Sequence, residues 1–222
     1  MTSQDWKNKD NWSFYDKIPH GILGERYGRP MGLSGAPELD LIGDYLEGAL
    51  SVLEFGAGEG RVIDGLLQRS YSGQIYALER QPSFLEQLHK MYKDKNHVTI
   101  VEGDILQSKN IPKADIGLWL WAGIMEFSPQ EQNGVLRNLE KFIDKTLIIE
   151  TPEFGSKTNA TRGEERWLEI QGEHGIILHG YLPSEMELHS YIADTQWHMR
   201  ESIRYEIVRT KKRVLYVLQK RS

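Results

Sequence analysis

The stretch Val52-Leu53-Glu54-Phe55-Gly56-Ala57-Gly58-Glu59-Gly60 joins a short apolar run to a segment with Val62, Ile63, Leu66 and Leu67 at helical spacing. It reads as strand, glycine turn, helix. Glycines let a backbone turn sharply and come close to a ligand, and the helix start beyond them offers unpaired N–H groups. Two familiar nucleotide loops share that plan, and spacing separates this one from both. The dinucleotide fingerprint G-x-G-x-x-G needs a third glycine three positions after the second, whereas Gly60 follows Gly58 by two. The P-loop needs Gly-Lys-Ser/Thr, which is missing. An acid, Glu54, stands inside the strand before the loop.

Outward from this loop, strands and helices alternate. Leu39, Ile42, Leu46 and Leu50 recur at helical spacing behind Pro37. Strands are expected at Gln74 to Leu78, ending at Glu79, and at Val98 to Val101, ending at Gly103-Asp104. Two more follow at Ile116 to Trp121 and Thr146 to Ile149, the last ending at Glu150. Between them Pro82 opens a helix with Phe84, Leu85, Leu88 and Met91, and Ser128-Pro129-Gln130-Glu131 opens another as a capping box, running to about Ile143. Strands that are apolar throughout and alternate with helices imply a parallel sheet covered on both faces. The ending differs. Ile203 to Val208 and Arg213 to Leu218 are joined by Arg209-Thr210-Lys211-Lys212, too short for a crossover, and so form an antiparallel hairpin.

Between Glu150 and Ile203 there is more chain than one crossover needs. Ser184-Glu185-Met186-Glu187 is a second capping box and starts the crossover helix. Residues 151–183 are therefore surplus and are expected to cap the carboxyl edge of the sheet, with Trp167 to Ile170 pairing Ile176 to Leu178. Residues 1–36 are surplus too. They carry Trp6, Trp12, Phe14, Tyr15 and Tyr27 and are expected to form an arm that packs on the domain and closes over the site, with Tyr27 or Arg29 near the ligand. The division is an arm or lid at 1–36 and a domain at 37–222 with its cap inserted at about 151–183.

Composition narrows the function classes. The chain has 222 residues, 27 Lys and Arg against 32 Asp and Glu, and a net charge of -5, which argues against nucleic acid as partner. Cysteine is absent, which excludes disulfides, thiolate metal sites and cysteine nucleophiles. No two histidines and an acid take ligand spacing, so no metal is expected. No apolar stretch reaches the ~18 residues of a membrane span and the N-terminus has no signal-peptide run, so no membrane partner and a cytoplasmic location are expected.

The chain resembles class I S-adenosylmethionine-dependent methyltransferases. The first motif of that family matches Val52 to Gly60, which assigns Glu54, Gly56, Ala57, Gly58 and Gly60 to the cofactor site. Glu79 matches the acid that grips both ribose hydroxyls, with Arg80 beside it. Gly103-Asp104-Ile105 matches the segment that meets the adenine, and Trp119 to Ala122 the strand end beside the methionine part, where Trp121 is expected to line the pocket. Glu54 lies too early for adenine and either anchors the loop or meets the ligand's ammonium through water. The resemblance implies a seven-stranded α/β sheet in the order 3-2-1-4-5-7-6, mostly parallel with the last strand antiparallel. It implies S-adenosyl-L-methionine as cofactor and methyl transfer to a nitrogen, oxygen or carboxylate of a small-molecule acceptor. A protein or peptide methyltransferase and a non-catalytic cofactor-binding regulator are the alternatives. For the catalytic step the candidates are His179, Tyr181 and Glu126, with His174 as a further possible base; no residue type marks one out.

Overall fold

The computed structural model describes residues 9–19, 21–107, 110–156, 161–162, 166–171, 175 and 177–221. Trp6, His20 and His174 lie outside these residues. Strands β1 (Ser51–Phe55), β2 (Gln74–Glu79), β3 (Val98–Glu102), β4 (Ala114–Trp119) and β5 (Ile143–Pro152) are parallel to one another. Three short strands, β6 (Thr161–Arg162), β7 (Trp167–Gln171) and β8 (Ile177–Tyr181), form a separate antiparallel sheet. The hairpin β9 (Trp197–Glu206) and β10 (Lys212–Lys220) completes the main sheet, with β10 antiparallel to both β5 and β9. The spatial order is β3-β2-β1-β4-β5-β10-β9. Counting the main sheet's strands alone, this is the expected 3-2-1-4-5-7-6.

Period-two alternation builds two cores from one sheet. Leu53, Phe55, Leu147, Ile149, Val214 and Leu218 face one layer, together with Leu136 and Leu139 of α6 (Pro129–Leu139) and Leu188 and Ile192 of α7 (Glu185–Ile192). Val52, Ile148, Leu215 and Val217 face the other. There they meet Leu39 of α2 (Glu38–Leu41), Leu46 of α3 (Gly43–Leu46), Val62, Ile63 and Leu66 of α4 (Arg61–Gln68) and Leu88 of α5 (Pro82–Tyr92). Each fully buried aliphatic chain contributes roughly 1.5–3 kcal/mol. Both capping boxes form: Ser128 and Ser184 accept from the backbone of Glu131 and Glu187, whose carboxylates accept in return from the serine N–H groups.

Three expectations are corrected. The helix behind Pro37 is two four-residue turns, broken at Ile42 (φ -116°, ψ 15°), where the following Gly43 weakens it. Leu50, expected on its buried stripe, is 77% exposed. The helix begun at Ser128 ends at Leu139, four residues before the expected end, and β5 begins at Ile143, three residues before the expected Thr146. The terminal hairpin pairs from Trp197, so its turn falls at Ile207 to Lys211, and Ile207 and Val208 pack over Gly32. Among the described residues no helix is long and apolar enough to cross a membrane.

Candidate active site

A cavity of about 250 Å³ opens at the carboxyl ends of β1, β2, β3 and β4. The glycine turn forms one wall. Gly56 (φ 73°) and Ala57 donate their N–H groups to Leu78 O at 2.9 and 3.0 Å, which fastens the turn to β2. Gly56 and Gly58 border the cavity; Ala57 and Gly60 lie behind it. Gly60 (φ 83°) serves packing, since a side chain there would meet the Tyr92 hydroxyl, which itself reaches Gly60 O at 3.1 Å.

Glu79 is buried at the end of β2 and ties three backbone groups together. One carboxylate oxygen accepts from Arg80 and Gln81 N–H at 2.7 and 2.8 Å, and the other from Gly58 N–H at 2.7 Å. Asp104, past β3, accepts from Leu106 N–H at 2.8 Å, and Ile105 lies beside it on the wall. Arg80 spans from Asp104 to Glu126, at 3.4 Å to each carboxylate. Glu126 ends a 3₁₀ turn, Gly123–Glu126, and accepts from the Tyr15 hydroxyl. Burial raises its proton affinity, and Arg80 and the Tyr15 hydrogen bond offset part of that rise.

Trp121 also borders the cavity, by a route the pattern of apolar residues does not announce. Strand β4 stops at Trp119, which packs between Phe55 and Phe127 in the core. Trp121 and Ala122 then adopt φ values of 51° and 62°, a conformation that costs a non-glycine residue of order 1–3 kcal/mol. Glu150 holds them there: its carboxylate accepts from Trp121 N–H, and its carbonyl accepts from Ala122 N–H at 3.1 Å. The indole is thereby laid against Gly28, where an added Cβ would sit 3.2 Å from the ring, and under the Arg61 guanidinium at 5.6 Å.

Beneath this turn, on the face that carries α2 to α5, lies a group of buried charges. Glu150 pairs with Arg213 and accepts from the Tyr205 hydroxyl; burial works against its ionised form, but Arg213 and these bonds hold it below the usual carboxylate range. Arg61 pairs with Glu38 and donates to Leu33 O at 3.0 Å. Glu54 is buried among them, does not border the cavity, and burial pushes its carboxyl well above the usual range. Sequence reasoning attached no role to Glu150 or Arg61 and placed Arg213 in a basic, solvated turn, whereas Arg213 is buried. Their one signal was charge inside or beside apolar strands.

The arm and the cap close the cavity. Helix α1 (Lys9–Asp16) brings Phe14 and Tyr15 to its rim, and Leu23, Tyr27 and Met31 follow. Asn11 uses its amide like a strand: it donates to His179 O at 3.0 Å and accepts from His179 N–H at 2.9 Å, on the edge of β8. Glu59, the acid within the glycine turn, accepts from the N–H groups of Gly21, Leu23 and Gly24 at 2.7, 3.2 and 2.8 Å and so clips the arm to the loop. Of the catalytic candidates, Glu126 and His179 border the cavity; Tyr181 does not, and its hydroxyl donates to Glu187 at the start of α7. Arg29 is exposed and pairs with Glu25.

A scan of protein-family profiles finds no match. A curated relative, the probable ribosomal RNA small subunit methyltransferase A of Thermococcus onnurineus, is 44% identical over 62 residues, which span 28% of this chain and 22% of that protein. Solved structures match over nearly the whole chain. The PH0226 protein of Pyrococcus horikoshii aligns with a TM-score of 0.69 at 15% identity, covering 94% of this chain and 99% of the other. CalS10, an amino pentose methyltransferase of Micromonospora echinaspora solved with S-adenosylmethionine, gives 0.65 at 14%, covering 92% and 99%. The glycopeptide N-methyltransferase MtfA, complexed with S-adenosylhomocysteine, gives 0.66 at 16%, covering 92% and 99%. At such identities the likeness is one of fold: the chain has the Rossmann-like fold of class I S-adenosylmethionine-dependent methyltransferases.

Proposed function

We propose, from that shared fold, that the chain binds S-adenosyl-L-methionine and directs methyl transfer to a small-molecule acceptor. The observation that carries this reading is the convergence of Gly58, Glu79 and Asp104 on one cavity wall. The acceptor and donor set suits an adenosyl ligand. A carboxylate has about four acceptor sites; Glu79 uses three on backbone N–H groups, which leaves capacity for a ribose hydroxyl. Asp104 suits the amino group of a purine, and Ile105 its ring. The wall carries Glu79, Asp104 and Glu126 against Arg80, while Glu150 and Arg213 cancel, an excess of negative charge that favours a cationic ligand.

The cofactor, when bound, supplies a methyl already activated on a sulfonium. What remains for the protein is to position the nucleophile and exclude water. Phe14, Tyr27, Trp121 and the cap residues Leu168 and Leu178 give the cavity the apolar walls that this requires.

A peptide acceptor is the second reading, favoured by the fold shared with a glycopeptide N-methyltransferase. The short match to a ribosomal RNA methyltransferase raises an RNA acceptor, against which the net charge of -5 weighs. A regulator that binds the cofactor without turnover is the remaining alternative. Calorimetry is expected to give micromolar-range binding of S-adenosylhomocysteine and none of NAD; the reverse would overturn the cofactor. Methyl release from labelled cofactor, offered separately to metabolite, peptide and RNA pools, distinguishes the acceptor classes and an inert binder.

A further inference from the structure

We propose that the acceptor is an apolar amine, and that Glu126 holds its ammonium group and takes its proton; this rests on the methyl-transfer reading above. The cap supplies the first observation. Pairing in β7 and β8 sets Leu168 opposite Gly180 and Ile170 opposite Leu178, so these four share one face of the cap sheet. All four border the cavity, and Gly180 is close enough to Met125 that an added Cβ would lie 3.4 Å from the Met125 carbonyl. With Phe14 and Met125 they make a wall without a charged group.

The other face of the cap pairs Glu169 with His179, the imidazole Nδ1 lying 3.7 Å from the Glu169 carboxylate. The His179 side chain therefore departs from the apolar wall, and its backbone is what meets Asn11. The other carboxylates at the cavity, and Arg213, have roles of their own. Glu79 and Asp104 hold the glycine turn and the loop after β3, and Arg213 is paired with Glu150. Burial and the neighbouring Glu126 raise the Tyr15 phenol well above its ordinary value, so it stays protonated and acts as a donor.

Glu126 is left. It directly follows Met125, borders the cavity, and is half-buried, with Tyr15 on one oxygen and Arg80 at 3.4 Å from the other. Its raised proton affinity suits a group that must accept a proton near neutrality. An ammonium gains a charge-assisted hydrogen bond there. A hydroxyl gains a weaker neutral-donor bond, and a carboxylate would be repelled by Glu79, Asp104 and Glu126 together. In the reaction the ammonium gives one proton to Glu126, which frees the nitrogen lone pair. That pair forms the bond to the methyl carbon as the carbon–sulfur pair returns to sulfur. The products are a methylated ammonium and a neutral thioether, and the proton on Glu126 passes to solvent.

The test uses the full chain and three probes that share one apolar body: phenethylamine, 2-phenylethanol and 3-phenylpropionate. Titrated into the protein saturated with S-adenosylhomocysteine, phenethylamine is expected to bind at least about tenfold more tightly than the other two. Glu126→Gln, likewise saturated with S-adenosylhomocysteine, should remove that preference. With S-adenosylmethionine, mass spectrometry should find methylated amine only, its formation falling about 10²–10⁴-fold in Glu126→Gln, the usual range for a lost proton acceptor. Equal binding of the three probes, methylation of the alcohol or the acid, or an active Glu126→Gln would each overturn the proposal and leave the cofactor reading standing. Absence of S-adenosylhomocysteine binding in the wild type would remove both, and the first titration separates that case from the others.

Discussion

Glu79 is both a structural and a ligand-facing residue, which sets how its removal should be read. It accepts from Gly58, Arg80 and Gln81 N–H and borders the cavity. Glu79→Ala removes an ionised acceptor whose bonds are worth roughly 1.5–3 kcal/mol each, partly replaced by water. S-adenosylhomocysteine affinity is expected to fall about 10- to 100-fold by calorimetry; unchanged affinity would exclude Glu79 from the ribose. Glu54 makes a prediction of opposite character. Its folded-state pKa is raised by burial, so the native chain binds more protons than the unfolded chain above the ordinary value of ~4.3. Stability from this group is present below that pH and is lost as pH rises through the folded value. Glu54→Gln should therefore melt higher than wild type at pH 8 and close to it at pH 5. A wild-type advantage that grows with pH would contradict the assignment.

At the scale of elements, the described part of the arm is held by polar contacts to the glycine turn, the cap, Glu126 and Arg61. Glu59 gathers three backbone N–H groups of residues 21–24, and Asn11 covers the edge of β8. Phe14 stacks edgewise on Tyr15 at 5.3 Å and tilts against Tyr27 at 5.9 Å. Glu59→Ala leaves those N–H groups to water without touching the core. Hydrogen exchange of the Gly21, Leu23 and Gly24 amides should accelerate about 10- to 100-fold, in line with one or two lost charge-assisted bonds. Amides of β1 and β4 should be unaffected. If the arm amides keep their protection, the clip is not what holds the arm.

For the whole molecule, the sheet presents its strand ends and two additions cover them. The parallel strands carry the cavity at their carboxyl ends, and α1 with its clips and the β6–β8 sheet border it from the other side. A cover that admits a ligand must open. S-adenosylhomocysteine is therefore expected to slow hydrogen exchange in α1 and in β7 and β8, with little change in β5 or β10. Identical exchange of β7 and β8 with and without the ligand would mean that the cap is fixed, and a role in chain–chain contact would then explain it better.

Much of this architecture was present in the chain's own order. Val52 to Gly60 with Glu79 and Asp104 at strand ends, two capping boxes, and a closing pair of strands too close for a crossover set the alternation of strands and helices and the terminal hairpin, while the observed sheet order was implied only by the family resemblance. These are local properties: period, turn chemistry and spacing act within a few residues, and backbone sterics and hydrogen bonding read them directly. What the tertiary structure alone decided is long-range. Glu150 holding Trp121 in a left-handed turn joins residues 29 apart, Arg213 meeting Glu150 joins residues 63 apart, and Tyr15 meeting Glu126 joins residues 111 apart. Glu59 shows the same limit, a residue inside the most legible motif whose partners lie in the arm. A charged residue declares that it needs a partner, because burying it alone is costly. Which partner it finds depends on which strand ends and loops the packed sheet brings together, and that is a property of three-dimensional proximity that no spacing along the chain encodes.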